Sequence, residues 1–170
     1  MDKTAAPTAP AGNVLTGRLV KSDSGYLLLE VPNALVRGLY AALNVPGVEL
    51  PLHQGRLNAH ISVFRPEEVE QLGGADKVTE VGKQFNYRIG ALRECNPYGW
   101  EGVDRVWMVS VVSPELAKLR VSYGLPPLPR KGRNELAFHI TVAIRRKGVL
   151  RRSPMSKVSA LIAGRLKLGI

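Results

Sequence analysis

The chain is predicted to fold as one α+β domain over residues 14–152. Three observations lead to that class. Apolar runs of strand length recur between Gly-, Pro- and Asn-bearing turns. Longer stretches with helical apolar spacing open on capping residues and prolines. One order of parts (strand, helix, loop, strand) occurs twice along the 170 residues.

Residues 14–21 and 26–31 read as two strands joined by the turn Ser22-Asp23-Ser24-Gly25, a β-hairpin. Pro32 ends the second strand, and Asn33 is the expected N-cap of a helix over 34–43 with Leu35, Leu39, Ala42 and Leu43 on one face. Val45-Pro46-Gly47 stops it, and a loop through His53, Gln54 and Gly55 leads to a strand over 57–64. Pro66 opens a short acidic helix that Gly73-Gly74 closes. A strand over 85–92 precedes a loop over 95–104, which carries Tyr98 and Trp100 among Pro97, Gly99 and Gly102. The strand over 106–112 is strongly apolar, which makes Trp107 a core residue. Ser113-Pro114-Glu115 is a capped helix start, and that helix is expected to end at Gly124. A basic, proline-rich loop over 126–134 precedes the strand over 138–142. Ser153-Pro154 opens a last helix within 153–170, whose stripe of Met155, Val158, Leu161, Ile162 and Leu166 is expected to pack on the domain. Residues 1–13 read as a disordered lead-in without the apolar stretch of a secretion signal.

Hydrophobic residues make up 45% and charged residues 22%, the balance of a soluble globular protein. The net charge of +10 favours polyanionic partners such as nucleotides, RNA or DNA. The single cysteine, Cys95, excludes an internal disulfide and any two-cysteine metal or redox motif. A reducing compartment, the cytoplasm, is the expected location. No run of about 18 apolar residues is present, so no transmembrane helix is expected. A membrane surface is a polyanion that the charge could also favour, but no membrane is expected among the partners.

Two of the three histidines stand in one pattern, His60-Ile61-Ser62-Val63 and His139-Ile140-Thr141-Val142. Side chains alternate along a strand, so each histidine shares a face with a hydroxyl while the aliphatic residues turn to the core. The framing also matches: Asn33 lies 27 residues before His60, and Ser113 lies 26 before His139. A duplicated unit would place the two strands about a pseudo-two-fold axis with both histidines facing one cleft.

The paired motifs resemble those of the two-histidine (2H) phosphoesterase superfamily. The resemblance implies a bilobal fold in which two antiparallel sheets with flanking helices line a central cleft. It also implies a phosphodiesterase in which His60, Ser62, His139 and Thr141 are catalytic. One imidazole serves as base and the other as acid, and the hydroxyls donate to the non-bridging phosphoryl oxygens. Which histidine takes which part is open, as is attack by water or by a 2′-hydroxyl. No metal and no cofactor are expected, since the sequence offers no obvious carboxylate cluster. Within the superfamily the chain looks most like the phage proteins that counter cyclic-oligonucleotide (CBASS) signalling. That likeness rests on Gly25-Tyr26 running into Val31-Pro32-Asn33, on Ser113-Pro114-Glu115-Leu116 and on the Trp100 loop. It implies hydrolysis of 3′,5′ bonds in cyclic di- and trinucleotides, in the host-cell cytoplasm if the chain is phage-encoded. The alternatives are a 2′,3′-cyclic phosphodiesterase acting on RNA ends and a non-catalytic basic RNA-binding module.

Aromatic rings stack on nucleobases. Trp100, Tyr26 and Tyr98 are the candidate platforms because they lie at turns or strand starts. Arg130 and Lys131 enter the second histidine strand from the basic loop and are candidates to hold a phosphate. His53 lacks the pattern and reads as an ordinary loop residue.

Overall fold

The hairpin forms as its turn chemistry dictates. Ser22 N–H donates to Tyr26 O (2.9 Å), Ser22 Oγ accepts from Tyr26 N–H (3.0 Å), and Gly25 supplies the left-handed φ of 85°. It joins β1 (Leu15–Lys21) to β2 (Leu27–Glu30) in a computed structural model that describes residues 13–97, 99–131 and 134–148. The final helix expected within 153–170 and all but the last residue of the lead-in lie outside those residues, as does Tyr98.

The remaining elements are α1 (Asn33–Leu43), β3 (His60–Phe64), α2 (Pro66–Gln71), a 3-10 turn (Ala75–Lys77), β4 (Gln84–Cys95), β5 (Val103–Val112), α3 (Pro114–Ser122), β6 (Arg130–Lys131), β7 (Asn134–Glu135) and β8 (His139–Arg146). Six strands form one antiparallel sheet in the order β3-β2-β1-β4-β5-β8. The sheet curls until its two edge strands approach, with Cα atoms of β3 and β8 within 8 Å of one another. Two separate sheets were the expectation; the long β4 joins them. Its first residues, Gln84 to Tyr87, pair with β1, and its remainder, from Arg88 to Cys95, pairs with β5. The expected loop over 95–104 is correspondingly shorter, because β4 and β5 both extend into it. The basic stretch before β8 is not all loop, since β6 and β7 form a small ribbon there.

One apolar cluster covers one face of the sheet. Leu19, Leu29, Ile61, Val63, Val111, Ile140 and Val142 meet Val36 of α1 and Leu116 and Leu119 of α3. Helix α1 packs on β8, and α3 packs on β4 and β3. The opposite face of the sheet is the one that these helices leave uncovered. A second, small cluster of Val103, Val106 and Ile144 closes the far end. Trp107 is 4% exposed, a core residue as expected.

Helix starts follow different rules in the two halves. Ser113 caps α3, its Oγ accepting from Leu116 N–H (3.2 Å) and donating to Asn86 O (2.7 Å). Asn33 does not cap α1. Its Oδ1 accepts from Ala59 N–H (3.0 Å), because Ala59, next to β3, lies close enough to take the side chain away from the helix. Ser113→Ala removes both bonds of a buried hydroxyl and is expected to cost about 1–2 kcal/mol, read from the urea midpoint at unchanged slope.

Candidate active site

The residue before each histidine is pinned by the neighbouring strand. Ala59 O accepts from Val31 N–H (3.1 Å), and Phe138 O accepts from Val111 N–H (2.7 Å). From these anchors β3 and β8 alternate in register. Ile61, Val63, Ile140 and Val142 are buried, while His60, Ser62, His139 and Thr141 are half-buried on the uncovered face. The two motifs thus lie on adjacent edge strands and on the same face of the curled sheet.

The imidazoles are held in the same way. His60 Nδ1 bonds Asn58 O (2.7 Å), and His139 Nδ1 bonds Ala137 O (2.9 Å), in each case the carbonyl two residues back. A carbonyl can only accept, so Nδ1 carries the proton in both rings. Nε2 is then the free nitrogen: an acceptor when the ring is neutral, a donor when it is charged. Two such nitrogens can take a proton from one oxygen and give one to another. Neither Ser62 nor Thr141 has a side-chain hydrogen bond among the described residues, which leaves both hydroxyls able to donate to an anion.

The cross-strand neighbours differ. Glu30 stands opposite His60, and Ser110 stands opposite His139. Sequence reasoning had no access to these partners, because register joins residues far apart in the chain.

Of the remaining sequence candidates, Tyr26 follows the face of Leu28, the partner of Ser62, and lies past the C-terminal end of β3. Arg130 is exposed on the ribbon that precedes β8, and its carbonyl accepts from Arg65 Nη1 (2.9 Å). Lys131 lies beside it in β6. Trp100 is not brought to the histidines. Val103, at the start of β5, pairs with Arg146, at the other end of β8 from His139, a run of roughly 23 Å at strand rise. Trp100 is 45% exposed at that far end and shares a surface recess with Lys147.

Arg120 was missed. It is 0% exposed, and every face of its guanidinium is occupied. Nη1 donates to Val63 O (2.5 Å) and Glu68 Oε2 (2.9 Å), Nη2 to Glu68 Oε1 (2.6 Å), and Nε to Pro126 O (2.8 Å). The group also lies 5.7 Å from the Phe64 ring centroid. Arg120 therefore fastens the edge of β3, just after Ser62, to the segment that leads into β8. The sequence signal was an arginine four residues after Leu116, on the buried face of α3.

Burial pushes the Glu68 carboxyl up, but the Arg120 bonds, the Arg65 N–H and both arginine charges outweigh it and hold the group below its ordinary value of 4.5. Its folded-state affinity for protons is thus lower than its unfolded one. The stability it contributes is complete above the ordinary carboxylate range and is lost as pH falls through that range to the folded value. Acid titration of the unfolding midpoint should show this loss in the native chain, and Glu68→Gln should flatten it.

Among the described residues no group of three or more His, Cys, Asp or Glu is placed to hold a metal ion, and no helix is long and apolar enough to cross a membrane.

A half-closed antiparallel sheet with paired imidazole–hydroxyl motifs on its meeting edges is the arrangement of a phosphoesterase. The family model described as Swiss Army Knife, 2H phosphoesterase domain matches residues 25–150. The chain belongs to this family, and at that level it is a phosphodiesterase-type hydrolase. Comparison with curated proteins and with solved structures gave no match.

Proposed function

We propose that the chain hydrolyses the 3′,5′ phosphodiester bonds of cyclic di- and trinucleotide signals, and so blocks antiphage signalling of the CBASS type in a host cell. His60 and His139 are the acid–base pair, and Ser62 and Thr141 donate hydrogen bonds to the non-bridging oxygens as charge builds on them. The observation that carries the chemistry is the matched pair of Nδ1–carbonyl bonds, which leaves Nε2 of each ring free on the uncovered face. One Nε2 takes the proton of the attacking hydroxyl or water, and the other gives a proton to the leaving oxygen. The two imidazoles supply both transfers, so this route has no metal-dependent step. The substrate assignment is supported by the net charge of +10, which draws polyanions, and by the resemblance of the Gly25-Tyr26 to Asn33 stretch and of Ser113-Pro114-Glu115-Leu116 to phage proteins of this kind.

The test is incubation of the protein, in chelator, with cyclic di- and trinucleotides, 2′,3′-cyclic mononucleotides and RNA, with products identified by mass spectrometry. Linear products from the cyclic oligonucleotides are expected. Opening of the 2′,3′-cyclic ends alone would move the assignment to RNA ends. Retention of RNA without any cleavage would leave a binding module.

A further inference from the structure

We infer that a nucleoside-binding subsite lies beside His139, in the pocket walled by Val14, Arg88 and Val112; the inference rests on the nucleotide-diester reading above. Residues opposite one another across an antiparallel ladder share a face. Arg88 pairs with Val112, and Val14 precedes the pair Leu15 and Tyr87, so these three side chains form one row across β1, β4 and β5. Two residues further along β5 stands Ser110, directly opposite His139. Two residues along a strand advance roughly 7 Å. The row of Val14, Arg88 and Val112 therefore begins one pleat from the His139 row, on the face that bears the histidines, and Pro114 and Glu115 at the start of α3 line the end of the pocket.

The ground between them is low. Gly90 lies against Ser110, where an added Cβ would collide with Ser110 Oγ. The Ser110 hydroxyl is turned back onto Ala91 O (3.3 Å), in the bulge where β4 carries one residue more than β5. A sugar attached to a phosphate at His139 can lie over these two small residues.

The pocket has a volume of about 310 Å³, at the small end of ligand sites and suited to a single ring system. Val14 and Val112 are 53% and 38% exposed, apolar groups left open to water. Asn86 and Glu115 line the rim but satisfy each other: the Asn86 N–H and Nδ2 each donate to the Glu115 carboxylate at 2.9 Å. The Arg88 side chain has neither an ion pair nor a hydrogen bond among the described residues. It offers only donors. A ligand with apolar faces and acceptor atoms at its edge fits this lining, and a nucleobase has that chemistry. A second phosphate would engage Arg88 and leave the two valines unused.

The test is titration of the four ribonucleoside 3′-monophosphates, with inorganic phosphate as reference, onto wild-type protein and the variants Val112→Trp and Arg88→Met. The indole fills the pocket; the methionine keeps the stem and removes the donors. Both variants are expected to raise the ratio of nucleotide Kd to phosphate Kd by about tenfold or more for at least one base. An unchanged ratio in a variant with wild-type melting temperature overturns the subsite. Cleavage is scored separately. Nucleotide binding that responds to the variants in a protein that hydrolyses no diester keeps the subsite and removes the proposed function. Hydrolysis that is indifferent to both variants does the reverse.

Discussion

Alanine at His60 or at His139 will lower turnover of a phosphodiester by about 10²–10⁴-fold, the worth of one positioned acid or base. Each ring touches its own strand through one Nδ1 bond to a carbonyl that stays near solvent, so the melting temperature should hardly move. If the rings act as a pair, the double variant will be little worse than either single one, because removing one proton transfer already disables the other. Asparagine is the sharper replacement. It can keep a donor near Asn58 O or Ala137 O, but it cannot shuttle a proton at neutral pH. Wild-type turnover in any of these variants removes that histidine from the mechanism, and circular dichroism separates such a result from misfolding.

Arg120→Ala should be the most damaging single change to the fold, at about 3–5 kcal/mol, because it leaves Glu68 as a partly buried charge without its partner. It also strips the Val63, Pro126 and Leu128 carbonyls of a donor. Urea denaturation measures the loss. The control is Arg120→Met with Glu68→Leu, which removes both charges together and should recover much of the stability. A loss below about 1 kcal/mol in the alanine variant would show that the ion pair is solvated in solution, as exposed pairs are. Activity in the double variant reports on positioning. If β3 and the segment before β8 need this clasp, turnover will stay low even where stability returns.

What could be read from the chain was local. The alternation in His60-Ile61-Ser62-Val63 and His139-Ile140-Thr141-Val142 gave two strands with the correct residues inside. Ser113-Pro114 gave a helix start with its cap bond intact. What could not be read was pairing. Asn33 has the chemistry of a cap, and only the arrival of Ala59 diverts it. Arg120 resembles any surface arginine until Glu68, 52 residues away, meets it. Trp100 stands in a turn-rich stretch that suits a stacking platform, but β4 and β5 run on past the site and carry it to the far end. The join through β4 was hidden for the same reason: a long strand that changes partners midway has no signature in composition or period.

Both ends of the sheet order carry a histidine, and the two ends come together. Exposed strand margins invite other chains to add to them. Here the 49–50 segment also covers part of β8, through the paired bonds of Glu49 with Ile144 (2.9 Å each). Assembling the site and shielding the protein from fibril-like self-association are thus one event. A lesion that lets either margin fray would silence the protein and make it sticky at once, even if the lesion lies far from any substrate.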